Sequence, residues 1–349
     1  MHEFNRNGGL TLVPMPGYVK MAELTKQLIE GGERHTPVDI VTPQFGERAS
    51  GEPFIKLGSD HIGGHDCVIL MSGPGTYKTL VQIYLLLDYL VGRRAARISI
   101  VTGYLPLGRS DKDEGALEFA IAAHFVHMIQ CAAHGKLDRV IAADLHAPQV
   151  AMAADHLGVI TEIFLARRLI TGAVEEARRI QENICVLLPD DGATKRFETT
   201  VKKCGQTMGI ELPLIYATKR RIDSRSSALG SLSGDLDRLS GAIIIAPDDE
   251  IATGGTNLHA AEVVKSQYGA KAYWATAIHG VLCGAAPIML AEKSSAIDRV
   301  IVSNTIPVED RDDLAPLRES GRLKIISWAP DLAHIVDYHH WGKSVREIR

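Results

Sequence analysis

The chain has 349 residues, 46% of them hydrophobic, with 38 Lys+Arg against 42 Asp+Glu and a formal charge of -4. That balance suits a soluble globular protein of one large or two medium domains and speaks against a sequence-independent nucleic-acid binder. Five scattered cysteines without C-x-x-C spacing argue against a disulfide framework or a structural zinc site. No apolar stretch approaches the ~20 residues a membrane helix needs, and the start MHEFNRNGGL lacks a basic-then-apolar signal pattern. A cytoplasmic enzyme with no nucleic-acid or membrane partner is expected.

In chain order, β-rich apolar runs begin at Cys67 (CVILM), Ile98 (ISIVTGYLP), Arg139 (RVIAADLH), Ile184 (ICVLLPDD), Ile210 (IELPLIYA), Ala242 (AIIIAPDD), Ala272 (AYWATAIH), Arg299 (RVIVSN) and Leu323 (LKIISWA). Helical patterns lie between them, at 80–91, 116–133 and 258–269. Continuous apolar strands separated by helices predict an α/β fold with mainly parallel sheets flanked by helices on both faces. Ligands in such folds sit at the carboxyl ends of strands. An apolar strand ending in acids occurs in each half of the chain, which predicts two related lobes. The first is placed at 1–163, joined by the C-terminal segment 330–349, and the second at 164–329. His339 and His340 are expected to be a surface or interface pair.

The most informative segment is the strand-turn-helix at 241–257. Its apolar run ends in Asp248 and Asp249, and Thr253-Gly254-Gly255-Thr256 follows before a helical pattern opens. Adjacent carboxylates repel unless they meet cations or hydroxyl donors. A Gly-rich turn at a helix start attracts an anion such as phosphate. A ligand with hydroxyls at one end and a phosphate at the other fits both, and ribose 5-phosphate has that shape. The turn is neither a Walker loop nor a G-x-G-x-x-G dinucleotide fingerprint.

Seven segments in order, over roughly residues 66 to 310, resemble the ribose-phosphate pyrophosphokinase family, which makes phosphoribosyl pyrophosphate (PRPP). They are YLPLGRSD (104–111), DLHAPQ (144–149), LPDDGATKR (188–196), KRR (219–221), DDEIATGGT (248–256), HGVLCGAAP (279–287) and SNTIP (303–307). The resemblance implies two phosphoribosyltransferase-like lobes and pyrophosphate transfer from Mg-ATP to ribose 5-phosphate. It implies ribose 5-phosphate binding by Asp190, Asp248, Asp249, Thr253, Gly254, Gly255 and Thr256. ATP would be bound by Arg109, Ser110, Asp111 and His146. Mg2+ would be held by Asp144, His146, Asp155 and Asp190. Lys219 and Arg221 would be catalytic, on what is a mobile loop in the family. A homo-oligomer is implied as well, a hexamer in the family.

Several positions depart from the family pattern. Ala252 replaces the usual Asp, Asp191 and Ala193 alter the 188–196 turn, and SGPGTYKTL (72–80) lacks the family's Asn-Asp pair. These departures keep two rivals open: a non-catalytic paralogue and a phosphoribosyltransferase.

Overall fold

The computed structural model describes residues 7–58, 61–111, 119–153, 159–221 and 227–345. The chain divides into one unit of Met1–Phe164, Thr305–Pro307 and Trp328–Arg349, and a second of Leu165–Asn304 and Val308–Ser327.

The first unit opens with β1 (Leu10–Pro14), α1 (Val19–Glu30) and β2 (Val38–Ile40), none of them among the elements expected from sequence. A hairpin follows, β3 (Pro43–Glu47) and β4 (Pro53–Leu57). Then come β5 (Asp66–Met71), α2 (Tyr77–Gly92), β6 (Arg97–Thr102), α3 (Ile121–Ala132), β7 (Leu137–Ala143) and β8 (Ile160–Ile163). Six strands form a parallel sheet in the order β2-β1-β5-β6-β7-β8. All of β5 is buried, as a strand covered on both faces requires. Ile83, Leu86, Leu87 and Leu90 of α2 and Phe125, Val126 and Ile129 of α3 pack into the core on this sheet.

The second unit contains α4 (Ala166–Arg178), β9 (Ile184–Leu188), α5 (Asp191–Met208), β10 (Leu214–Arg221), β11 (Ser227–Gly234) and β12 (Ile243–Ile251). It continues through α6 (Gly255–Tyr268), β13 (Ala272–Gly280), α7 (Ala286–Ala291), β14 (Arg299–Ser303), α8 (Ala315–Glu319) and β15 (Leu323–Ile326). Its sheet runs β11-β10-β9-β12-β13-β14-β15, parallel throughout except for the antiparallel β10–β11 ribbon. In α4 the buried residues Ala166, Leu169, Ile170, Ala173, Val174 and Ala177 fall at helical spacing, so one stripe faces the sheet.

The last helix, α9 (Ala329–His340), returns to the first unit and packs on α1. His339 and His340 are buried there, at 4% and 1% exposure, which corrects the expectation of a surface pair. Two adjacent imidazoles can be buried because the neighbouring strands supply polar partners. His340 Nδ1 lies 2.8 Å from Asp66 Oδ2, and His339 Nε2 lies 2.8 Å from Ser99 Oγ.

Candidate active site

The acidic strand end lies on β12. Residues 243–247 are buried, and the strand runs on beside β13 with Asp248 opposite Ala277 and Glu250 opposite His279. The Asp249 N–H donates to Asp248 Oδ1 at 2.9 Å, and the Glu250 N–H donates to Asp249 Oδ1 at 2.9 Å. Burial, together with the negative charges of Asp249 and then Asp190, holds the Asp248 carboxyl well above the usual carboxylate range. Three carboxyl groups from β12 and the β9–α5 turn therefore share one neighbourhood, where a proton, a cation or hydroxyl donors relieve the repulsion.

The glycine turn follows at once. Gly254 precedes α6 with φ +76, a left-handed conformation that favours glycine. Its entry is held by hydrogen bonds from Leu282 N–H to the Ile251 carbonyl at 2.9 Å and from Cys283 N–H to the Ala252 carbonyl at 3.0 Å. No side-chain hydrogen bond caps α6. By contrast, Thr76 caps α2 by accepting from Thr79 N–H at 3.1 Å, and Asp190 caps α5 by accepting from Ala193 N–H at 2.8 Å. The first N–H groups of a helix lack intrahelical acceptors. A helix start without a side-chain cap, carrying the positive end of the helix dipole, is suited to an anion. Thr253 and Gly255 are exposed and Thr256 half-buried at this turn.

Asp190 thus has a structural task at the α5 start besides its electrostatic effect on Asp248. Lys219 and Arg221 differ from the expected loop setting. Their backbone lies at the end of β10, opposite Leu229 and Ser227 of β11, just past a register shift between Ala217 and Lys219. The antiparallel ribbon supplies backbone hydrogen bonds that a loop would lack.

In the first unit, the turns after β6 and β7 meet. Gln149 Nε2 donates to Asp111 Oδ2 at 2.6 Å, joining the 104–111 and 144–149 segments. Ser110 lies at the approach to α3, its carbonyl accepting from Ala122 N–H at 2.9 Å. Arg109 is exposed and His146 half-buried, whereas Asp144 is buried with φ +36. Asp144 N–H donates to the Ile163 carbonyl at 2.9 Å, and Glu162 Oε1 accepts from Leu145 N–H at 2.9 Å, so β8 braces this turn. Asp155, expected as a metal ligand, lies outside the described residues. Among the described residues, no group of three or more His, Cys, Asp or Glu side chains is arranged to hold a metal ion.

Sequence reasoning missed Glu162, Gln149, Asn257 and Tyr273. The last pair left a signal. Asn257 occupies the first core-facing position of α6, ahead of Ala260, Ala261 and Val264, where an apolar residue belongs.

A family model described as "Phosphoribosyl synthetase-associated domain" matches residues 230–336, the stretch holding β12, the glycine turn and α6. The ribose-phosphate pyrophosphokinase of Ralstonia nicotianae is 29% identical over 324 residues, covering 92% of this chain and 94% of that protein. That of Caldanaerobacter subterraneus subsp. tengcongensis is 27% identical over 322 residues, covering 90% and 92%. The crystal structure of phosphoribosylpyrophosphate synthetase from Mycobacterium smegmatis superposes with a TM-score of 0.74 at 26% identity, covering 95% of this chain and 98% of that one. The likeness to proteins named ribose-phosphate pyrophosphokinase runs along nearly the whole length of the chain, in sequence and in fold.

Proposed function

We propose that this chain is a ribose-phosphate diphosphokinase that transfers pyrophosphate from Mg-ATP to the anomeric hydroxyl of ribose 5-phosphate, giving PRPP and AMP. The observation that carries the reading is the junction of β12 and α6: a repelling carboxylate group followed directly by a helix start that no side chain caps. Asp248 and Asp249 accept ribose hydroxyls, Asp190 adds to the same acidic neighbourhood, and Thr253, Gly254, Gly255 and Thr256 hold the 5-phosphate. Arg109, Ser110, Asp111 and His146 bind ATP, with Asp111 steadied by Gln149.

Mg2+ takes one or two carboxylates and keeps substrate phosphates and waters for its remaining positions. A buried Asp144 beside a half-buried His146 fits that pattern without an all-protein cage. Asp144, with Asp155 and Asp190, would supply oxygen ligands, and the ion, when bound, neutralises polyphosphate charge.

The anomeric hydroxyl attacks the β-phosphorus. The bond to the bridging oxygen of the leaving AMP breaks, and the hydroxyl proton passes to solvent. No covalent intermediate with the protein forms. Positioning and charge stabilisation carry the rate. Lys219 and Arg221 stabilise charge on the non-bridging oxygens of the transferring group. The protein acts as a cytoplasmic homo-oligomer, a hexamer by analogy with the family.

The decisive experiment incubates the protein with ribose 5-phosphate, Mg2+ and each nucleoside triphosphate in turn, then measures nucleoside monophosphate and PRPP. ATP-dependent AMP and PRPP are expected. Formation of neither refutes the reading. Consumption of supplied PRPP with a nucleobase would identify a phosphoribosyltransferase instead.

A further inference from the structure

We propose that Tyr273 is a positioning residue for the sugar-phosphate turn, acting through Asn257. The inference rests on the reading of Thr253–Thr256 as a phosphate-binding turn.

Tyr273 is fully buried on β13, and its hydroxyl donates to Asn257 Oδ1 at 3.0 Å in the first turn of α6. Its backbone serves the other end of the same helix. Tyr273 N–H donates to Asp298 Oδ2 at 2.7 Å, and Asp298 accepts Lys265 Nζ at 2.9 and 3.0 Å. One residue of the sheet thus anchors α6 at two points, two helical turns apart.

The need for such anchors follows from what α6 buries. Beyond Asn257 its buried residues are Ala260, Ala261 and Val264, all small. Small side chains interlock weakly, so apolar packing alone leaves the rotation and axial position of the helix poorly specified. A buried hydroxyl–amide bond is directional, and each partner is costly to bury without the other. The helix start that it fixes is the one without a side-chain cap, immediately after Gly254. The outer anchor, Lys265–Asp298, is partly exposed and eight residues farther along the helix, so it contributes to stability without setting the first turn.

The test uses the full chain and four variants: Tyr273→Phe, Asn257→Leu, the double variant, and Lys265→Met as a control on the distal anchor. KM for ribose 5-phosphate, kcat and KM for ATP are measured beside thermal stability. Calorimetric binding of ribose 5-phosphate supplies a readout independent of turnover. Tyr273→Phe is expected to weaken ribose 5-phosphate binding about tenfold, the equivalent of ~1.4 kcal/mol, with kcat within about twofold and KM for ATP unchanged. The double variant, with an apolar pair, is expected to regain the melting temperature lost by the single variants while its ribose 5-phosphate affinity stays low. Lys265→Met is expected to lower the melting temperature and leave that affinity intact.

Recovery of affinity together with stability in the double variant would reduce the pair to an ordinary core contact and overturn the inference. Unchanged affinity in Tyr273→Phe would do the same. A wild-type protein that binds ribose 5-phosphate and shows the variant pattern, yet makes no PRPP, would support the positioning role and refute the proposed reaction. A wild-type protein that fails to bind ribose 5-phosphate would overturn both.

Discussion

Asp66 Oδ2 and His340 Nδ1 lie 2.8 Å apart, with both side chains sealed from solvent. The same carboxylate accepts Arg97 Nε at 2.9 Å and Arg97 Nη2 at 2.5 Å, and that guanidinium also donates to the His339 carbonyl at 3.0 Å. The start of β5, the start of β6 and the end of α9 are joined by one ionic knot. Despite its burial, the Arg97 guanidinium and His340 hold the Asp66 carboxyl below the usual carboxylate range.

The knot predicts acid lability. Burial first, then the positive charge of Arg97, lowers His339 to about 4, with Asp66 and Asp138 pulling the other way and Arg139 adding to the drop. A histidine neutral in the folded state and ordinary in the unfolded state contributes stability above its unfolded pKa, and loses it as pH falls from the ordinary value toward 4. Asp66, lowered as well, adds a loss at still lower pH. Urea unfolding measured across this range should show stability falling from about pH 6.5 downward. His339→Gln should flatten that slope, and an unchanged slope would assign the lability to other groups.

Asp66→Asn should be severe. It leaves the half-buried Arg97 without its bidentate partner, a fully buried carboxylate, and breaking a buried pair in this way costs up to about 3–5 kcal/mol. Denaturant melts at neutral pH read the loss directly, and a cost under about 1 kcal/mol would mean that solvent reaches Arg97.

Asp248→Asn should separate folding from function. Asp248 has a raised folded-state pKa, so its stability contribution is present below the ordinary carboxylate pKa and is lost as pH rises through the raised value. Removing that charge is expected to raise the melting temperature at pH 7 and 8 while weakening ribose 5-phosphate binding. Such opposition is usual where a site stores repulsion for its ligand.

Lys219→Ala should lower kcat by about 10²–10³-fold, by analogy with other groups that stabilise developing charge. Ribose 5-phosphate affinity should change little. Equal losses in kcat and in affinity would assign Lys219 to ground-state binding.

Gly103→Ala should cost several kcal/mol, in the manner of overpacked sites. A Cβ at this position would overlap the Thr305 carbonyl oxygen and the Tyr18 hydroxyl, which are hydrogen-bonded to each other. Loss of soluble expression, or a large drop in melting temperature, is the expected readout.

The sequence alone determined the α/β class, because an apolar run such as CVILM at β5 has to be covered on both faces wherever it lies. It also placed two acids and a glycine turn side by side at 248–256, since nine consecutive residues are brought together by local geometry. Tertiary structure decided what depends on residues far apart in the chain. Gln149 meets Asp111 because β6 and β7 are neighbours, and Tyr273 meets Asn257 because α6 lies on β13. The adjacent histidines 339 and 340 carry no sequence mark of burial. Their partners Asp66 and Ser99 stand more than two hundred residues away, and only the folded chain pairs a buried polar group with the partner that makes its burial tolerable.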